Sequence, residues 1–108
     1  MNKRNKRTIT EIVDKLSDNK ELKVFCDNYT RISEAEDKLL FDMRGRKRRW
    51  DKLPTYVRSE IISLGLERSN YQDGIKYIIK SNLEYDSGDI INETMNEVIG
   101  IFSKKRYK

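Results

Sequence analysis

Apolar residues in this 108-residue chain return every three or four positions, and no stretch reads convincingly as a strand. With 3.6 residues per helical turn, positions i, i+3, i+4 and i+7 share one face. Ile9, Ile12, Val13 and Leu16 have this spacing, and Thr8-x-x-Glu11 over the same stretch has the spacing of a capping box. Ser17-Asp18-Asn19 carries turn chemistry, after which Leu22, Phe25, Cys26 and Tyr29 repeat the period. Ser33-x-x-Glu36 is a second capping-box spacing. From it Leu39, Leu40 and Met43 continue a third helix, which Gly45 weakens by about 1 kcal/mol relative to alanine. Pro54 opens a short helix through Val57, Ile61 and Leu64, closed by Gly65 as a C-terminal cap with Leu66 folding back on it. Ser69-x-x-Gln72 starts another, carried by Tyr71, Ile75, Ile78, Ile79 and Leu83. Asp86-Ser87-Gly88-Asp89 forms a turn, and Ile90, Ile91, Met95, Val98, Ile99 and Phe102 line the last helix. The expected fold is all-α, a compact bundle of five to six short helices. A basic arm occupies residues 1–7, a single helical domain residues 8–102 and a basic tail residues 103–108.

Charge is distributed unevenly along this pattern. The net charge is +5, yet residues 43–58 hold seven cations against one acid, while residues 1–7 and 103–108 carry four cations each. The segments between them, 8–42 and 59–102, are net acidic. If folding gathers the three basic segments on one face, that face suits a polyanion; scattered patches favour a protein partner instead.

The residue types exclude several chemistries. Histidine is absent, which removes the commonest general base and a frequent metal ligand. The glycines are isolated and build no phosphate loop. Glu34, Glu36 and Asp37 fall on a capped first turn, where they complement the helix dipole rather than form a catalytic or metal-binding pair. Cys26 is the only cysteine and lies on an apolar face, so it is expected to be a buried core residue. No apolar run approaches the ~20 residues that span a bilayer, and a cytoplasmic location is expected. Neither enzymatic activity nor a cofactor is expected.

The run Arg44-Gly45-Arg46-Lys47-Arg48-Arg49-Trp50 is the densest chemical feature. Its cations cannot pair with one another, so they face water, nearby carboxylates or a polyanion. Lys52 and Arg58 extend the charge into the next helix. Trp50, just ahead of Leu53-Pro54, has the placement of a core or staple residue, with stacking on a base as the alternative.

The stretch Ser59-Glu60-Ile61-Ile62-Ser63-Leu64-Gly65-Leu66-Glu67-Arg68-Ser69-Asn70-Tyr71 resembles the helix-turn-helix of DNA-binding proteins. The resemblance implies that Ile61, Leu64, Leu66 and Tyr71 lock two helices together. It further implies that residues 69–85 form a recognition helix presenting Asn70, Gln72, Asp73 and Lys76 to base edges. A plain helical hairpin closed by glycine gives a similar pattern. Arg44-Gly45-Arg46 also resembles the core of an AT-hook, although Lys47 stands where a proline is expected. Together these readings make the chain a small non-enzymatic DNA-binding protein. Its size and its Asn-, Lys- and Ile-rich composition fit a regulator or accessory factor of a plasmid, phage or other mobile element. Arg44, Arg46, Lys47, Arg48, Arg49, Lys52 and Arg58 would contact phosphates of AT-rich double-stranded DNA, and Asn70, Gln72 and Lys76 the groove, with a homodimer plausible. The alternatives are a protein-binding inhibitor or immunity-type module with a basic docking patch, and RNA binding through the arginine-rich run.

Overall fold

In the structure, a computed structural model describing residues 3–83 and 87–106 (side chains 5–83 and 87–103), Asn19 turns the chain between its first two helices. These are α1 (Lys3–Leu16) and α2 (Lys20–Leu40). The Asn19 side chain accepts the Leu22 N–H at 2.9 Å, and its own N–H donates to the Leu16 carbonyl at 3.0 Å. Each bond satisfies a backbone group that a helix end leaves open. A 3₁₀ turn at Trp50–Lys52 precedes α3 (Thr55–Lys80), and α4 (Gly88–Arg106) follows. Ser87 caps α4: its carbonyl accepts from Ile91 N at 3.0 Å and its hydroxyl from Ile90 N at 3.4 Å. Asp86, the first residue of that expected turn, and Tyr85, the end of the expected recognition helix, lie outside the described residues.

The all-α class holds, but in place of five or six short helices there are four α-helices among the described residues, because two expected breaks are absent. Helix α2 runs through Ser33, and α3 runs through both Gly65 and Ser69 without a turn. The helix-turn-helix hairpin therefore does not form. Leu66, expected to fold back on the glycine cap, is instead 67% exposed. The physical reason is one of scale. A glycine inside a helix costs about 1 kcal/mol, and a serine less. Burial of side chains along the α2–α3 contact returns about 1.5–3 kcal/mol for each large apolar residue. At the N-terminus, α1 begins at Lys3, so residues 3–7 extend the helix instead of forming a separate arm, and Arg7 pairs with Glu11 at 3.5 Å. Thr8 is consequently interior to α1 and does not cap it.

The core is built as the apolar period requires. Ile9, Ile12, Val13 and Leu16 of α1 meet Leu22 and Cys26 of α2, Ile75 and Ile79 of α3, and Ile90, Ile91, Met95, Val98 and Phe102 of α4. Cys26 is free and 1% exposed; burial, reinforced by the Asp27 charge, pushes its thiol up to about 12. Among the described residues this cluster takes nothing from α2 beyond Tyr29 and nothing from α3 before Ile75. Ile32, Glu36, Leu53 and Ile61 are buried outside it, where the distal halves of α2 and α3 cover one another. The molecule is thus a four-helix core with a two-helix stalk, and it measures 47 × 31 × 24 Å. No helix among the described residues is long and apolar enough to cross a membrane.

Candidate functional site

The basic run sits at the end of the stalk, where α2 has ended and α3 has not begun. Phe41 leaves α2 in an extended conformation and pairs antiparallel with Lys47. Arg48 N donates to the Leu40 carbonyl at 2.7 Å and Asp42 N to the Arg46 carbonyl at 2.9 Å, which closes a short β-hairpin. Its loop is Met43-Arg44-Gly45. Gly45 N donates to the Asp42 carbonyl at 3.0 Å, and Gly45 itself stands at φ +77°, the left-handed region that glycine enters without strain. The Asp42 carboxylate accepts the N–H groups of both Arg44 and Arg46 at 2.9 Å. One acid thereby holds the backbone of two cationic residues. This is a three-residue hairpin loop with a glycine bulge, and Gly45 is its bulge residue rather than the end of a helix.

Beyond the hairpin, Arg49 pairs with Asp51 at 3.2 Å, and the 3₁₀ turn is closed by Leu53 N donating to the Trp50 carbonyl at 3.2 Å. Leu53, 7% exposed, anchors the return of the chain, while Trp50 remains 45% exposed. The expected core or staple role thus belongs to Leu53 and not to Trp50. Val57 and Arg58 N–H groups both donate to the Pro54 carbonyl at 3.1 Å, so Pro54 caps α3 with its carbonyl and needs no N–H of its own.

Arg44, Arg46, Lys47, Arg48, Arg49 and Lys52 are all exposed on this excursion, and Arg58 lies half-buried on the first turn of α3 with its guanidinium 3.4 Å from the Thr55 hydroxyl. Among the described residues no carboxylate pairs with Arg44, Arg46, Lys47 or Lys52. The hairpin also presents Met43 fully exposed and Phe41 38% exposed, with Tyr56 75% exposed just inside α3. Sequence reading missed Phe41, Asp42 and Met43 because it extended a helix through them. The available signal was Asp42-x-x-Gly45, acid and glycine at the spacing of a type I turn.

The other expected contact residues are not brought here. Asn70 is exposed and Gln72 and Lys76 are half-buried on α3, and at 1.5 Å per residue Asn70 is about 18 Å along the helix from Arg58. Lys76 lines a shallow depression with Asp73, Tyr77, Gly88 and Asn92, at the core end of the molecule. Of the terminal cations, only the side chains of Lys6 and Arg7 are among the described residues, and they lie on α1 rather than on the stalk. α1 packs on α4, and Lys6 borders a depression shared with Glu93 and Glu97, while α2 carries the hairpin away from that corner. The side chains of residues 1–4 and 104–108 lie outside the described residues.

Of the acids expected to complement a helix start, Glu36 has another role. Glu36 lies near the C-terminal end of α2, 8% exposed, and its Oε1 is 2.6 Å from Nε of Arg68 on α3. Comparison with known protein families, curated proteins and solved structures finds no match to this chain.

Proposed function

We propose that this protein binds double-stranded DNA without catalysing a reaction, and that the β-hairpin at the end of the α2–α3 stalk is the contacting element. The observation that supports this reading is the hairpin itself. Arg44, Arg46, Lys47, Arg48 and Lys52 stand in water on one short projection, and its two acids are engaged, Asp42 by backbone N–H groups and Asp51 by Arg49. Such a cluster repels itself until a polyanion neutralises it, and phosphates do so with release of counterions. The hairpin replaces the helix-turn-helix as the reading element, since α3 is unbroken. Service to a plasmid, phage or other mobile element remains the biological setting that the composition fits.

The test is equilibrium binding to a duplex across a salt series, followed by the fluorescence of Trp50, the only tryptophan. Neutralising three to five phosphates gives a log–log slope of about −2.7 to −4.5, and each of Lys47, Arg48 and Lys52 changed to alanine removes about 0.9 from it. Undetectable binding, or binding indifferent to salt, overturns the reading.

A second reading, a protein-binding inhibitor or immunity-type module, is supported by a different observation: Ile62 and Leu66, one turn apart on α3, are 56% and 67% exposed. A complex recovered intact after nuclease treatment at high salt would favour it. Tighter binding of a structured RNA than of the duplex would favour the RNA reading.

A further inference from the structure

We infer that the hairpin enters the major groove of duplex DNA tip first, with Arg44 and Arg46 directed to guanine edges; the inference rests on the DNA-binding reading above. Three observations carry it. The first is width. Phe41 and Asp42 face Lys47 and Arg46 across a short two-stranded pairing that Arg48 N closes on the last carbonyl of α2, and the two backbones lie about 5 Å apart before side chains are added. A major groove about 12 Å wide admits such a ribbon, whereas a minor groove about 6 Å wide does not. The AT-hook resemblance loses its basis for the same reason. Arg44-Gly45-Arg46 is folded into a turn at φ +77° and cannot lie as one extended chain along a narrow groove.

The second observation is preorganisation. Two hydrogen bonds to the Asp42 carboxylate and two ladder bonds fix the backbone from which Arg44 and Arg46 project. An arginine on a fixed backbone loses less freedom when it docks, and its planar guanidinium matches the O6 and N7 acceptors of guanine. The third is the division of the ribbon's faces. Side chains alternate along a strand, so Arg46 and Arg48 share one face while Phe41 and Lys47 share the other. Away from the tip, Arg48 on one face and Lys47 on the other are thus placed toward the two groove walls, which leaves Arg44 and Arg46 beside the loop for the base edges, and Met43, fully exposed at the tip, supplies an apolar surface for thymine methyl groups.

The experiment compares the full chain on three duplexes: one rich in guanine, the same sequence with 7-deazaguanine, which lacks the N7 acceptor, and one of A·T pairs only. Expected is a loss of about fivefold or more on the 7-deaza duplex, with the A·T duplex equally weak. Arg44→Lys together with Arg46→Lys keeps the charge but loses the planar fork, so it should abolish the difference between the first two duplexes while retaining most of the salt slope. Equal affinity for the guanine and 7-deaza duplexes overturns the major-groove inference and leaves DNA binding standing. So does displacement from the A·T duplex by a minor-groove ligand. Failure to bind any of the three overturns both.

Discussion

Nε of Arg68 lies 2.6 Å from Oε1 of Glu36, and this contact ties α3 to α2 above the four-helix core. The Glu36 side chain is 11% exposed and that of Arg68 is 38% exposed, so the carboxylate is largely withdrawn from water while the guanidinium keeps one side in it. Removing either partner leaves the other poorly solvated, at a cost of about 1–3 kcal/mol. Glu36→Ala and Arg68→Ala should each lower the urea midpoint. In a double-mutant cycle the two changes should couple by at least about 0.5 kcal/mol. Strict additivity would show that the pair contributes no mutual stability.

Gly65 and Gly74 give opposite expectations on one helix. A methyl group at Gly65 meets only Glu36 Oε2 at 3.9 Å, an ordinary contact, so Gly65→Ala should stabilise α3 by about 0.5–1 kcal/mol through helix propensity. A capping glycine with positive φ would give the reverse sign, so the thermal midpoint of this one variant distinguishes a continuous α3 from a broken one. A methyl group at Gly74 meets the Phe25 ring at 3.1 Å, and that ring is held against Tyr71 with centroids 6.1 Å apart. Gly74→Ala should therefore lose the propensity gain and fall at or below the stability of the parent.

Gly45 is unopposed in space, with no atom within 4 Å of an added Cβ, so only its φ of +77° resists substitution. Gly45→Ala should cost about 1–2 kcal/mol locally, opening the hairpin while the melting of the helical core stays near that of the parent. Amide exchange at Asp42 and Arg46 reads the hairpin directly, because their N–H groups are bonded within it. Asparagine tolerates this backbone region better, so Gly45→Asn should retain more of the protection. Unchanged exchange in Gly45→Ala would mean that the turn does not depend on glycine.

Cys26 makes stability fall at high pH. The folded thiol is pushed up to about 12 by burial and then by Asp27, from an ordinary value of 9.0. Below pH 9 both states hold the proton, and the full contribution is present. As pH rises from about 9 toward 12 the unfolded chain releases a proton that the folded chain retains, so stability drops by up to about 1.4 kcal/mol per pH unit. Denaturant titrations at pH 8 and pH 10 should show this extra loss in the parent and not in Cys26→Ala, which differs from it at this one thiol. Equal pH slopes would contradict it.

The faces of α1 and α4 were legible from spacing alone. Ile9, Ile12, Val13 and Leu16, like Ile90, Ile91, Met95, Val98 and Phe102, are all buried where the period puts them. The punctuation was less reliable. Ser17-Asp18-Asn19 and Ser87 mark real helix boundaries, whereas Ser33-x-x-Glu36 and Ser69-x-x-Gln72 have the same local chemistry inside continuous helices. The cations of the candidate site were evident as residues, but not the turn that presents them.

From its sequence, then, this protein's helical class, the stripes that form its core, the buried Cys26 and the gathering of cations at residues 44–52 were determined, because each follows from residue type and near-neighbour spacing. Tertiary structure alone decided that α2 and α3 are long, that Glu36 meets Arg68, and that the cations ride a β-hairpin away from Asn70, Gln72 and Lys76. A break signal worth about 1 kcal/mol is settled by what packs across it, and that partner lies some thirty residues away in the chain.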